Sequence, residues 1–175
     1  MDDATLKIVL DTNVVLDWLV FNRTEETPLQ AALRDARIEV VTSAAALDEL
    51  ERVLAYPLLG LDAVRQAEVL QSYTARTVAG AVPEGFSREQ PGTPPGFPRC
   101  KDRSDDHFLA LAWHSGAQAL VSKDKEVLKL RKRAAKFGVR IVDVPQCLAW
   151  LIGCNGPGAG VTPSDPPAPG ARPAS

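Results

Sequence analysis

The chain has 175 residues, 45% of them hydrophobic and 24% charged, with a formal net charge of −2. These values fit one globular domain long enough to bury a core, and they exclude a chain drawn to nucleic acid by bulk charge, leaving that role to local patches. No apolar run approaches the ~20 residues of a membrane span, and Asp2 and Asp3 lead straight into a strand with no secretory signal, so a cytoplasmic protein with no membrane partner is expected.

Leu6 to Leu10 is apolar apart from Lys7 and contains the β-branched Ile8 and Val9, so it reads as a buried strand. Asp11-Thr12-Asn13 breaks that run, and Val14, Val15, Leu16, Trp18, Leu19 and Val20 follow as a buried helix. Thr27 is placed to cap a second helix, with Pro28 in its first turn and Leu29 to Arg37 continuing it. Ile38 to Val41 is a second strand, and Ser43 caps a helix from Ala44 to Ala55 that Pro57 stops. Leu61 to Tyr73 forms an amphipathic helix with Val64, Ala67 and Leu70 inward. Thr77 to Val82 reads as a weak strand.

From Pro83 to Pro98 there are five prolines, three glycines and no period. A loop of this length inside a compact domain is usually functional or mobile. A strongly patterned helix runs from Phe108 to Ser115, and Ala117 to Val121 is a clear strand. A basic helix spans Glu126 to Phe137 and ends on Gly138, followed by a strand from Val139 to Val142 and a short helix from Gln146 to Ile152. Residues 1–152 thus form the folded unit. Residues 153–175, rich in Pro, Gly, Ala and Ser, are expected to be disordered. Strands alternating with helices imply a mainly parallel sheet covered on both faces.

Such a sheet places ligands at the carboxyl ends of its strands. Asp11 ends the first strand, Glu49 lies on the helix after the second, and Ser122-Lys123-Asp124 ends the fourth. Asp102, Asp105 and Asp106 open the helix that precedes the fourth strand. Each has a plain local reading: Asp11 and Asp124 as helix caps, Asp105 and Asp106 as first-turn acids, Glu49 as a solvated residue, Asp102 as a partner of Lys101 or Arg103. Brought to one edge, however, these carboxylates would repel one another, and a divalent cation is the usual compensation. Only His107 and His114 are present, and Cys100, Cys147 and Cys154 lack paired metal spacing, so oxygen ligands are expected and no disulfide framework.

Four segments in order resemble the PIN domain: Asp11-Thr12-Asn13 after a strand, Glu49 on its helix, Asp106-His107-Phe108-Leu109-Ala110-Leu111-Ala112, and Leu120-Val121-Ser122-Lys123-Asp124-Lys125. The likeness runs from about Leu6 to Leu151. Leu47 to Leu54 and Cys100 to Leu109 resemble the bacterial group of toxin components of toxin–antitoxin pairs. The resemblance implies a three-layer α/β/α sandwich around a five-stranded parallel sheet, and Mg²⁺- or Mn²⁺-dependent cleavage of single-stranded RNA with one or two ions. It makes Asp11 and Asp106 direct ligands, with Glu49 on the metal or on its water. Asp124 would serve a second shell or a second metal, and Asn13 and Ser122 would orient these groups. Asp106 is preferred to Asp105 because it lies four residues before Ala110, as the family's pattern has it. Asp102 and Asp105 are supporting acids. The 83–99 loop and the tail are not general features of the fold.

The segment Lys123 to Arg140 holds eight basic residues against Asp124 and Glu126. It reads either as a solvated helix face or as a phosphate-tracking patch, with Lys123, Lys125, Lys129 and Arg131 nearest the acids and Arg99, Lys101 and Arg103 extending it. A cognate antitoxin and a homodimer partner are further expectations of the resemblance. Trp18 and Phe21 could serve a partner surface or the core. Two rival readings are a catalytically silent RNA- or protein-binding module on the same fold and a haloacid-dehalogenase-like phosphotransferase. The second wants an Asp where Asn13 stands.

Overall fold

A computed structural model describes residues 5–21, 28–35 and 37–153 of the chain. The cap expected at Thr27, Cys154 and almost all of the expected tail lie outside them. The first strand, β1 (Leu6–Leu10), turns at Asp11 into α1 (Thr12–Leu16), which widens into one π-helical turn over Asp17–Phe21. α2 (Pro28–Arg34) returns to β2 (Ile38–Thr42). Ser43 Oγ accepts the Ala46 N–H at 3.2 Å and so caps α3 (Ala44–Leu54). α4 (Ala63–Ala75) leads to β3 (Thr77–Ala79). A largely irregular segment, closed by one 3-10 turn over Arg103–Asp105, then reaches α5 (Asp106–Ser115), which ends on Gly116 at φ 64°. β4 (Ala119–Val121), α6 (Lys125–Leu128), α7 (Arg131–Ala135), β5 (Arg140–Val142) and α8 (Val144–Gly153) follow.

The five strands form one sheet in the order β3-β2-β1-β4-β5, with every pairing parallel. Alternation of side chains divides the core between the two faces. Ile8, Leu10, Val40 and Val121 pack on one side against Val14, Leu50, Leu54, Val69 and Tyr73. Val9, Val41, Leu120 and Ile141 pack on the other against Leu109, Leu111, Val127 and Ala134. Helices therefore cover both faces, giving the expected α/β/α sandwich. The order reverses beside β1, so the β1–β4 edge is the switch point where a crevice opens. Among the described residues no helix is long and apolar enough to cross a membrane.

Three local expectations are corrected, and one open alternative is decided. The third strand stops at Ala79 rather than Val82. Gly80 still donates to the Thr42 carbonyl at 2.8 Å, but a Cβ there would lie 2.7 Å from both Leu111 Cδ1 and Val41 Cγ1. The basic helix is broken into α6 and α7, because the Leu130 N–H bonds back to Val127 O at 3.0 Å and tightens the turn. That keeps Val127, Leu130 and Ala134 in the core. The inward stripe of α4 is Val69 and Tyr73 with the expected Leu70 partly buried beside them, while Val64 is 69% exposed and Ala67 is exposed too. Trp18 is core at 4% exposure, whereas Phe21 is 57% exposed.

The Pro/Gly-rich loop is packed. Phe97 is buried with its ring centroid 5.0 Å from Phe137 and 5.7 Å from Trp113. Phe86 stands edge-on to His114 at 5.8 Å, and the Pro91 carbonyl accepts from His114 Nε2 at 2.9 Å. These contacts dock the segment on α5.

Candidate active site

The switch point gathers polar side chains that are otherwise buried. The Asp11 N–H donates to Val121 O at 3.0 Å, which extends the β1–β4 pairing by one residue and sets Asp11 beside Ser122. Ser122 is fully buried. Its Oγ donates to Asp11 Oδ2 at 2.6 Å and accepts the Asp124 N–H at 3.0 Å. Asp11 Oδ1 accepts the Asn13 N–H at 3.3 Å, so Asp11 caps α1 and lines the crevice at once. The side chain of Asn13 is exposed. Asp124 Oδ1 accepts the Glu126 N–H at 2.7 Å and caps α6.

Glu49 reaches the same place from the second turn of α3 and is buried. Its Oε1 accepts from Thr12 Oγ1 at 2.9 Å and its Oε2 from His107 Nε2 at 2.9 Å. Arg88 Nε from the packed loop stands 3.6 Å from Oε2.

The adjacent aspartates divide. Asp106, the first residue of α5, is buried. Its Oδ1 accepts the Cys100 N–H at 2.6 Å, and its Oδ2 pairs with Arg99 Nη1 at 3.1 Å and Arg103 Nη1 at 3.6 Å. Asp105 has no such cation among the described residues and faces the fields of Asp11, Glu49, Asp102 and Asp124. Asp102 stays exposed and accepts the Ser104 N–H at 2.9 Å.

These environments separate the carboxyls. Burial, with the fields of Asp11, Glu49, Asp102 and Asp124, pushes Asp105 up to about 7. Burial also raises Asp11, with the charges of Glu49 and Asp124 adding to it against the hydrogen bonds from Ser122 and Asn13. At Glu49 burial acts upward too, but the His107 hydrogen bond and charge, with Thr12 and Arg88, outweigh it and hold the carboxyl below its ordinary value. Asp11 and Asp105 are thus short of positive charge.

Among the described residues no three His, Cys, Asp or Glu groups stand close enough to form a metal cage as they are. The chemistry of the donors nevertheless fits a hard divalent cation: four carboxylates from separate elements, two of them driven toward the neutral form by burial and, after it, by the charges of the others. A cleft of about 560 Å³ adjoins them, lined by Cys100, Lys101, Asp102, Arg103, Asp105, Asp124 and Glu126.

The expected basic patch is only partly available. Lys123 pairs with Asp17, Lys129 with Glu126, and Arg131 with Asp143 at 3.4 Å. Lys125 is exposed, and Lys101 and Arg103 line the cleft itself. Four contributors were not read from sequence in these roles: Thr12 and His107 on Glu49, Arg88 from an aperiodic loop, and Arg99 as the cation on Asp106. The position of His107 beside Asp106 was the one visible hint. Nothing in the loop's pattern marked Arg88.

Fold and crevice define a doubly wound α/β protein with an acidic switch-point site. A family model described as PIN domain matches residues 7–126, and the chain belongs to that family. PIN domains are generally nucleases and usually bind divalent metals, which supports a hydrolase. The structure is similar to the crystal structure of PAE2754 from Pyrobaculum aerophilum, with a TM-score of 0.51 and 14% identity over 86% of this chain and 98% of that one. At that identity the likeness bears on the fold alone. No curated protein sequence matches significantly.

Proposed function

We propose that this chain is a metal-dependent endoribonuclease that hydrolyses single-stranded RNA, and that it acts as the toxin of a toxin–antitoxin pair in the cytoplasm. The observation that carries the enzymatic reading is the convergence of Asp11, Glu49, Asp105 and Asp124 at the switch point, with Asp11 and Asp105 under-compensated. Mg²⁺ or Mn²⁺, one ion or two, would be held by Asp11 and Asp106 with Glu49, and Asp105 and Asp124 would support them, since the charges of Asp11 and Asp124 both act on Asp105. Asp106 joins only by exchanging Arg99 for the metal. When bound, the cation supplies a Lewis acid that favours attack of water on the phosphodiester and offsets the charge that develops.

The chain's own residues prepare the site. Ser122 holds Asp11 Oδ2, and the Asn13 N–H holds Oδ1. Lys101 and Arg103 line the cleft that the phosphates of a strand would follow, and Lys123, Lys125, Lys129 and Arg131 would continue that path, with Lys123, Lys129 and Arg131 giving up their present carboxylate partners. The toxin reading, with its antitoxin and a dimer partner, is supported by the two motif segments around Glu49 and Asp106.

The test is cleavage of single-stranded RNA by purified protein. Activity with Mg²⁺ or Mn²⁺, lost with chelator and lowered at least a hundredfold in Asp11→Asn, is expected. Equal cleavage under either change refutes the metal-nuclease reading. Growth arrest on expression, relieved by co-expressing the neighbouring small open reading frame, tests the toxin role. A second reading is favoured by one observation: Arg88 and Arg99 already pair with Glu49 and Asp106. A silent binding module would use these pairs permanently and would bind RNA without cutting it.

A further inference from the structure

Glu49 differs from the other acids of the crevice in having both oxygens tied by side-chain donors from separate elements. Thr12 Oγ1 on α1 donates to Oε1, and His107 Nε2 on α5 donates to Oε2, each at 2.9 Å. A carboxylate offers only acceptors, so the Nε2 proton must be present and the contact has one polarity. The imidazole has no exposed surface and lies against the Phe108 ring, tilted by 38° with centroids 4.0 Å apart. It therefore cannot touch RNA. Its Nδ1 finds no hydrogen-bond partner among the described residues. A buried ring that leaves one nitrogen unpaired is a poor core filler, since an apolar side chain would pack there with nothing unsatisfied. What the position gains is the Nε2 contact.

The start of α5 thus sends three consecutive side chains to three tasks. Asp105 faces the acidic field, Asp106 takes the Cys100 N–H and Arg99, and His107 grips Glu49. Since α3 and α5 lie in separate layers of chain, this contact links the orientation of Glu49 to the helix that carries the other acids.

We propose that His107 is a positioning residue which, with Thr12, fixes the Glu49 carboxylate in the crevice and so sets the affinity of the site for a divalent cation. The inference rests on the metal-dependent reading above. Groups that orient a ligand from behind typically change metal affinity 10–100-fold when removed.

The experiment is calorimetric titration of full-length protein with Mn²⁺ alone, alongside urea melts. His107→Leu removes the donor, and His107→Gln keeps an amide donor at similar reach. His107→Leu is expected to weaken Mn²⁺ binding about 10–100-fold while His107→Gln stays within about threefold of the parent. In a Glu49→Gln background the Leu substitution should add no further loss. Should His107→Leu not fold, Thr12→Val carries the same comparison through the other donor. Parent-like Mn²⁺ affinity in the folded donor-less variant overturns the positioning role. A merely structural histidine would lower the urea midpoint and leave the affinity unchanged, which also overturns it. Absence of Mn²⁺ binding by the parent protein overturns the metal reading, and this inference with it.

Discussion

At the scale of single residues the site depends on how two neighbouring aspartates are turned. Asp106 is paired with Arg99 and hydrogen-bonded by an amide, whereas Asp105 carries burial and, with it, the uncompensated charges of the cluster. The two should separate on mutation. Asp105→Asn relieves repulsion and is expected to raise the stability of the metal-free protein, while Asp106→Asn strands Arg99 and leaves the Cys100 N–H with a weaker acceptor, costing about 1–3 kcal/mol in a urea melt. Mn²⁺ titration of both variants then ranks their shares of the metal site. The reverse stability order would show that the charges are balanced differently. The pH dependence follows from the same shift. The carboxyl of Asp105 is raised in the folded state to about 7 from 3.8. Its contribution is therefore fully present below about pH 4 and is lost as pH rises through about 7. Asp11 is shifted in the same direction. Metal-free protein is expected to be less stable at pH 8 than at pH 5, and Asp105→Asn to flatten that slope. A flat profile for the parent would contradict the burial of charge assigned here.

At the scale of elements the sheet and α5 meet through close approaches that leave little slack. β3 ends where Gly80 meets Val41 and Leu111, with no space for a methyl group. Gly80→Ala would push the β2 and α5 side chains apart and is expected to cost about 1–3 kcal/mol, read as a fall in the chemical denaturation midpoint. A neutral outcome would mean that the core yields there. The 83–99 segment is expected from its composition to be functional or mobile, and the structure docks it on α5. Phe86 and Phe97 seat it on α5, and only then can Arg88 and Arg99 arrive at Glu49 and Asp106. Composition showed that the segment had no period. It could not show that two of its aromatic rings would find partners 16 to 40 residues further along the chain.

At the scale of the molecule a net charge of −2 coexists with a cleft edged by Lys101 and Arg103. Binding of single-stranded RNA by the Asp11→Asn protein should weaken with salt, with a slope of about −0.7 in log–log form for each phosphate contacted. Lys125→Glu and Lys101→Glu should each make that slope shallower by roughly this amount, measured by fluorescence anisotropy. Lys129→Glu should change it less, because Lys129 is already paired with Glu126. Equal effects at all three positions would mean diffuse attraction in place of a path along the cleft.

The sandwich was legible because its signals are local. Strand runs such as Leu6 to Leu10, caps such as Ser43 and the alternation of strands with helices each need only neighbouring residues to be read. The same signals put Asp11, Glu49 and Asp124 near strand-to-helix junctions, and a parallel sheet then brings such junctions to one edge. The tertiary structure decided everything that depends on distant partners. It selected Val69 and Tyr73 over Val64 as the buried stripe of α4, and it broke the basic helix at Leu130. It turned Asp106 to Arg99, left Asp105 among the acids, and delivered His107 and Arg88 to Glu49. Periodicity specifies which residues an element contains. The direction in which a polar side chain is satisfied is set by whichever donor or charge the packed chain brings within about 3 Å, and that information is spread over the whole fold.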